Sequence, residues 1–226
     1  MSISVVIPVY NEVKNLERTY NNLTKAIKIL NINNYEIIFV NDSSKDGSLD
    51  KIYELKNKDE KISIFSNDVN LGLSQSIQKG MSLSQKEYFW WIPSDDNLEF
   101  TEIVKMLDNY NNYDFIFTKH IIERGFFRKF VSSGFTILVN IIFNLKFPYY
   151  NGLFLIKKEH LQKIEIKSKS QFWMAELTIK LLLMNKKYQI KTLKMNERKA
   201  GKSNIFNFYQ LYKTILDLFK FKFNLF

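Results

Sequence analysis

The side chains that can do chemistry in this chain are carboxylates, amides and a phenol, grouped directly behind short apolar runs. Tyr10-Asn11-Glu12 follows the run Ile3 to Pro8, Asn41-Asp42 follows Glu36 to Val40, and Ser94-Asp95-Asp96-Asn97 follows Tyr88 to Ile92. Each group alone is an ordinary turn. Three of them on one rim form a site, because an open α/β sheet binds ligands outside the carboxyl ends of its strands. Adjacent Asp95 and Asp96 offer hard oxygen ligands of the kind that Mg²⁺ or Mn²⁺ takes while keeping substrate phosphates as further ligands. Asp95 is the expected ligand, Asn97 can add an oxygen, and the metal would act as Lewis acid on a leaving diphosphate. Asp96 has a second reading, as N-cap of the helix that follows.

Other chemistries are excluded by what is missing. There is no cysteine, so thiolate zinc sites, disulfides and a Cys nucleophile drop out. His120 and His160 stand far apart, which disfavours His-rich metal sites and Ser-His relays. None of the seven glycines forms a Gly-x-Gly-x-x-Gly turn or a phosphate loop ending in Gly-Lys-Ser/Thr, so a bound diphosphate must be neutralised by something else.

A second polar group lies near the end of the chain, at Arg198-Lys199-Ala200-Gly201-Lys202-Ser203. A hydroxyl acceptor needs a general base within hydrogen-bonding reach, whereas a phosphate oxygen is already an anion and needs only positioning and charge balance. Arg198, Lys199 and Lys202 beside Gly201 suit that anion, and Arg198 can bind it in two-pronged fashion. If the acceptor is instead a hydroxyl, Glu176 in the helical stretch Trp173 to Lys186 is the carboxylate to act as base, or else Asp96.

The elements that must position these groups follow from periodicity. Residues 1–120 alternate short β-rich runs with helical patterns, which argues for βαβ units on a largely parallel sheet. Expected strands are Ile3 to Pro8, Glu36 to Val40, Ile62 to Ser66, Tyr88 to Ile92 and Tyr113 to Lys119. Between them run helices at about 13–30, 48–58, 73–84 and 99–110, the first marked by Val13, Leu16, Tyr20, Leu23, Ile27 and Leu30. Trp90 and Trp91 are assigned to the core. Beyond residue 120 the pattern gives one long helix from Phe126 to Phe147, an extended piece from Gly152 to Ile156, a helix at Phe172 to Lys186, a strand at Tyr188 to Met195 and a terminal helix from about Ile205. There are no repeats or linkers, so residues 1–226 form one domain.

Four stretches together resemble the inverting glycosyltransferase family 2, which has the GT-A fold. They are Val5 to Glu12, Glu36 to Ser44 with Asp46, Asn70-Leu71-Gly72 with Gly80, and Ile92-Pro93-Ser94-Asp95-Asp96. The resemblance covers the first 120 residues in order. It implies a Rossmann-like, mostly parallel sheet flanked by helices, with a nucleotide-sugar half at 1–120 and an acceptor and membrane-interface half at 121–226. It also implies a nucleoside-diphosphate-sugar donor held by Pro8, Tyr10, Glu12, Asp42 and Ser94, and a divalent metal on Asp95. Pro93 stands where the family usually has the first acidic residue of an Asp-x-Asp. The second half is similar to polyprenol-phosphate sugar synthases of the dolichol-phosphate-mannose type: Arg198 to Ser203 matches their Arg-x-x-Gly-x-Ser, and Asn151-Gly152 falls in their Gly-Phe-Arg region, with Phe154 in place of the Arg and Pro148 in place of an upstream Asp. The resemblance implies catalytic roles for Asp95, Asp96 and Arg198, and a polyprenyl-phosphate acceptor bound by Arg198, Lys199, Lys202 and Asn151. The alternatives are transfer to a hydroxyl of a cell-surface glycan or lipid-linked saccharide, and a non-catalytic nucleotide- or lipid-binding protein.

Composition bears on location. With 33 Lys+Arg against 23 Asp+Glu the formal net charge is +10, and 20 Phe and 12 Tyr crowd toward the second half. The basic residues are scattered over both halves with no recognised nucleic-acid module, which excludes nucleic acid as partner. The start lacks a signal-peptide pattern and no run is long enough to span a bilayer, so the expectation is a cytoplasmic protein, peripheral on the inner membrane face. Two segments carry that expectation: Phe135 to Phe143, interrupted by Asn140 as suits a helix lying in the interface, and Ile205 to Phe226, where aromatic rings alternate with Lys213, Lys220 and Lys222 in amphipathic fashion, a pairing suited to an anionic membrane surface.

Overall fold

The computed structural model describes residues 2–121, 126–196 and 208–224, with the backbone only at 126–129 and 208. The apolar runs form the strands β1 (Ser2–Val9), β2 (Asn34–Asn41), β3 (Ile62–Ser66), β4 (Tyr88–Trp91), β5 (Phe115–Ile121), β6 (Phe154–Lys157) and β7 (Tyr188–Lys194). The helices are α1 (Leu16–Ile29), α2 (Ser48–Lys56), α3 (Leu73–Leu83), α4 (Phe100–Leu107), α5 (Phe126–Phe143), the single turn α6 (Lys158–Leu161), α7 (Trp173–Leu183) and α8 (Phe208–Lys222).

One seven-stranded sheet runs in the order β3-β2-β1-β4-β6-β5-β7. All its pairings are parallel except those of β6, which runs antiparallel to both β4 and β5. β1 is buried from Ile3 to Val9, as a central strand covered on both faces must be. Pro8 lies inside it, opposite Val40, rather than ending it. The reversal at β6 has a consequence for the site: the start of β6 lies at the same rim as the ends of β1, β2, β4 and β5.

Packing explains several residue choices. Gly80 lets α3 close on β1, since a Cβ there would sit 2.3 Å from Val6 Cγ1. Trp90 and Trp91 are buried as expected. The open edge of β7 is capped by α4: the Lys194 N–H donates to Glu102 Oε2 at 2.8 Å and Lys105 Nζ donates to the Thr192 carbonyl. That blunts an edge which would otherwise invite strand pairing. In return, buried Lys191 donates from Nζ to the carbonyls of Lys105 and Met106 at 2.9 and 3.2 Å, and to that of Asp108. It thereby satisfies carbonyls left over at the end of α4, and burial holds its amine below the usual lysine range.

The long helix of the second half stops at Phe143, four residues before its expected end, because Asn144 takes a left-handed conformation with φ 52°. Asn140 also does something other than expected. Its Nδ2 donates to the Phe147 carbonyl at 2.9 Å, and its Oδ1 accepts from Phe147 N–H at 3.1 Å and Tyr150 Oη at 2.7 Å. It ties down the segment leading to β6 instead of interrupting an interfacial face.

Candidate active site

The loops behind β1 and β2 are knitted to each other first. Asp42 N–H donates to Val9 O at 2.8 Å, Asn11 N–H to Ser44 Oγ at 3.1 Å, Lys45 N–H to Asn11 Oδ1 at 2.8 Å and Glu12 N–H to Ser48 Oγ at 2.9 Å. Asp46 closes the arrangement by accepting from Val13 N–H at 3.1 Å and Ser48 N–H at 3.0 Å. Burial works to raise its carboxyl, but hydrogen bonds from the Ser48 hydroxyl and these amides hold it below the usual range.

Among the expected donor residues only Tyr10 presents a largely open side chain, 47% exposed. Pro8 is buried in β1, and Glu12 is buried with Oε2 accepting from Asn15 Nδ2 at 2.7 Å. Asp42 is buried too, and its carboxylate is engaged by the 67–72 segment: Oδ1 accepts from Asn67 Nδ2 and Leu71 N–H, and Oδ2 from Gly72 N–H, each at 2.8 Å. Asn67 carries no signal in the sequence. Asn70-Leu71-Gly72 is a motif of the sequence, and its contact with Asp42 emerges only in the fold.

The loop behind β4 is braced from two directions. From α1, Thr19 Oγ1 donates to Ser94 O at 3.3 Å, while Arg18 pairs through Nε with Asp96 Oδ2 at 3.0 Å and through its terminal nitrogen with Glu99 Oε1 at 3.0 Å. From the end of β7, Asn196 donates its N–H to Asn97 O at 2.9 Å and its Nδ2 to Glu99 Oε1 at 2.7 Å. Asp96 sits in the left-handed region with φ 54°, a conformation costing a non-glycine residue about 1–2 kcal/mol. The N-cap reading of Asp96 does not hold, because α4 begins only at Phe100 with Glu99 at its N-cap position. Arg18 and Asn196 gave no sequence signal, as their partners are 78 or more residues away.

This loop fits a divalent cation. Burial, with the neighbouring Asp96 charge adding to it against backbone hydrogen bonds, pushes the Asp95 carboxyl up to about 6, and a divalent cation beside it would favour the ionised form. Asn97 Oδ1 is buried with no hydrogen-bond partner among the described residues. Asp95 and Asn97 together give oxygen ligands suited to Mg²⁺ or Mn²⁺. A different trio of metal-ligand types, Asp114, Glu159 and His160, has ligand atoms within 4.8 Å of one another. It lies at the opposite end of the sheet, before β5 and after β6, where buried His160 meets partly exposed Asp114, Nε2 to Oδ1, at 3.0 Å.

On the acceptor side, Gly152 brings the start of β6 against β5. Thr118 donates to Leu153 O through both N–H and Oγ1, at 3.0 Å each, and His120 Nε2 lies 2.7 Å from Thr118 Oγ1. Asn151 stands half-buried on this rim. Arg198, Lys199 and Lys202 lie outside the described residues; the chain leading to them leaves from Asn196, bonded to the Asp95 loop.

Glu176 is fully buried. It accepts from Lys167 N–H at 3.0 Å and Ser168 N–H at 2.8 Å and pairs with Lys180 at 2.5 Å, which makes it a clamp on the 165–170 loop. Glu176→Ala is expected to destabilise the fold by about 2–3 kcal/mol, since it leaves the Lys167 and Ser168 amides without their acceptor, while Lys180 keeps the Glu165 carbonyl. Urea denaturation checks this, and an unchanged midpoint would return Glu176 to the list of candidate bases.

Residues 4–165 match the family model of glycosyl transferase family 2. The chain belongs to that family. Dolichol-phosphate mannosyltransferase of Pyrococcus furiosus is 28% identical over 177 residues, which are 74% of this chain and 49% of that protein. The chain spans about half the length of the curated relatives it matches first. Its GT-A fold is shared with glucosyl-3-phosphoglycerate synthase of Mycobacterium tuberculosis, solved with Mn²⁺, UDP and glucosyl-3-phosphoglycerate (TM-score 0.67, 12% identity, 98% of this chain and 79% of that one). A mannosyltransferase from Pyrobaculum calidifontis, solved with GDP-Man and Mn²⁺, aligns with TM-score 0.62 at 12% identity, over 89% of this chain and 58% of that one.

Proposed function

We propose that this glycosyltransferase-family chain moves a sugar, with inversion, from a nucleoside-diphosphate sugar to a polyprenyl phosphate at the cytoplasmic face of a membrane. The observation that carries the reading is the braced 94–99 loop, which brings Asp95 and Asn97 to the rim shared by the β1, β2 and β6 loops. Asp95 and Asn97 would hold Mg²⁺ or Mn²⁺, which when bound stabilises the departing diphosphate as a Lewis acid. Tyr10 and the loops behind β1 and β2 seat the nucleoside, and Ser94 lies between donor and metal ligands in the chain. The acceptor oxygen attacks the anomeric carbon from the side opposite the diphosphate; one C–O bond forms, the other breaks, and the configuration inverts. A phosphate acceptor needs no base for this step. That favours it over a hydroxyl, because Glu176 is committed to its clamp and Asp96 to Arg18. Arg198, Lys199, Lys202 and Asn151 would hold the acceptor phosphate.

The C-terminal helix supports the membrane location. On the inner face of α8, Leu218 is buried, Phe221 packs at a tilt against Phe143 and Phe172 with ring centres 5.5 and 5.7 Å apart, and Asp217 accepts from Ser168 Oγ at 2.7 Å. On its outer face Tyr209, Tyr212, Leu216, Phe219 and Phe223 form an exposed stripe at helical spacing, next to exposed Lys213 and Lys220. Phe130, Ile137 and Ile141 of α5 are exposed as well. No described helix is long and apolar enough to cross a membrane. Each ring transferred from water contributes about 1.5–3 kcal/mol, and each lysine about 1 kcal/mol at an anionic surface. Because the inner face of α8 is part of the core, the variant to use is Tyr212→Ser with Phe219→Ser and Phe223→Ser. The intact chain is expected to co-sediment with anionic liposomes and the triple variant to stay in solution while keeping its thermal midpoint. Equal sedimentation of the two would remove this stripe from the account.

The acceptor is tested by incubating the full chain with UDP- or GDP-sugars, Mn²⁺ and a short polyprenyl phosphate, and looking for glycosyl-phosphoryl-polyprenol by mass spectrometry. Arg198→Ala should cut this transfer more than it cuts donor hydrolysis. Transfer to saccharide hydroxyls alone would overturn the acceptor assignment, and equal loss in both assays would move Arg198 to the donor diphosphate.

A further inference from the structure

Helix α8 is apolar on two opposite sides. Thr214, Leu218 and Phe221 lie inward, while Tyr212, Leu216, Phe219 and Phe223 lie outward and exposed. The hydrophobic effect is non-directional, so apolar burial alone does not decide which side meets the core. A polar contact does. Asp217 is the one acidic residue of the helix, and its Oδ2 accepts from the Ser168 hydroxyl at 2.7 Å. Ser168 is buried and rooted in the core, because its N–H donates at 2.8 Å to Oε2 of Glu176, a fully buried residue of α7. Its Oγ also lies 3.1 Å from Ser170 Oγ, which accepts from Phe172 N–H at 3.2 Å. A single polar contact among apolar ones is an effective register device, since every wrong rotation leaves it unmade. Docked in this way, the helix keeps its carboxylate on the inner side, and its outer side shows exposed Lys213 and Lys220 beside the aromatic stripe. An anionic surface attracts that arrangement and repels one with Asp217 turned outward.

We infer that Ser168 and Asp217 form a polar pin that sets the rotation of α8 on the core, so that the aromatic and lysine side of the helix, and not its apolar inner side, is presented to an anionic membrane. The inference rests on the membrane reading of α8. Asp217 is then a positioning residue, acting through the orientation in which the domain lies on the lipid.

The chain has no cysteine of its own, so one introduced thiol reports one position. Leu216→Cys places it on the outer side and Thr214→Cys on the inner side, and the probe is an anionic liposome doped with a maleimide-bearing lipid. With the pin intact in the full chain, Leu216→Cys is expected to couple to the lipid about tenfold faster than Thr214→Cys, or more, the factor that one hydrogen bond to a charged group is worth. Adding Asp217→Ala or Ser168→Ala should bring the two rates to within about threefold of each other, with co-sedimentation kept because the outer stripe is untouched. Equal rates with the pin intact, or a ratio that survives both substitutions, would overturn the inference. If Asp217→Ala does not fold, Ser168→Ala decides alone, since it keeps the residue 168 N–H on Glu176. An unsubstituted chain that stays in the supernatant contradicts the membrane reading itself, and the inference falls with it; a chain that sediments and couples equally through both sides contradicts the pin alone.

Discussion

Asp95→Ala is expected to abolish metal-dependent nucleotide binding and to lower turnover about a hundredfold or more. Removing the carboxylate takes away the charged ligand and leaves Asn97 as a neutral one. A Lewis-acid metal is worth several kcal/mol at a developing charge, and each 1.36 kcal/mol is a factor of ten in rate. The fold should survive. Burial raises the Asp95 carboxyl against the backbone hydrogen bonds that lower it, so its charge is not a net source of stability at neutral pH. Titration of Mn²⁺ and nucleotide into wild type and variant, alongside donor hydrolysis with and without chelator, measures both parts. Full activity in chelator would sink the metal assignment, whatever the variant does.

Gly152→Ala should damage the architecture itself. A Cβ at this position would lie 1.9 Å from the Thr118 carbonyl oxygen and 2.9 Å from its carbonyl carbon. Both are backbone atoms of β5, so no rotamer change relieves the clash. The strand start must move away, stretching the two hydrogen bonds from Thr118 to Leu153 O and displacing Asn151 from the rim. A cost of about 3 kcal/mol or more is expected, which lowers the midpoint of a chain of this size by roughly 6–12 °C. Calorimetry reads it directly, and a midpoint within a degree of wild type would mean that β6 does not approach β5 this closely. Gly80→Ala is a useful contrast, because its clash is with the Val6 side chain.

Much of this fold is legible in the residues. Buried parallel strands read as continuous apolar runs, so β1 to β4 emerge close to their bounds, and the polar groups behind them mark the rim. The antiparallel insertion of β6 does not emerge, because a four-residue apolar run carries no sign of direction. At the site, residue types are readable and contacts are not. Nothing in the sequence shows that the Asp42 carboxylate takes three N–H groups from a segment 25 to 30 residues further on. Glu176 has the same difficulty: its helical position suggests a surface, while its partners, two amides at 167 and 168, belong to a loop. Arg18 reads as an exposed residue on an amphipathic helix. Only the fold reveals that it holds Asp96 and Glu99.

The central claim, a nucleoside-diphosphate site completed by a divalent cation at Asp95, is tested most directly by thermal unfolding of the full chain with UDP or GDP in the presence of Mn²⁺ and then of chelator. A ligand bound only by the folded state stabilises it by about 2.7 kcal/mol at a hundredfold excess over Kd, a rise of roughly 5–10 °C at this chain length. The account predicts that rise with at least one of the two nucleotides and its disappearance in chelator. No rise with either nucleotide, or the same rise with and without the metal, would contradict it.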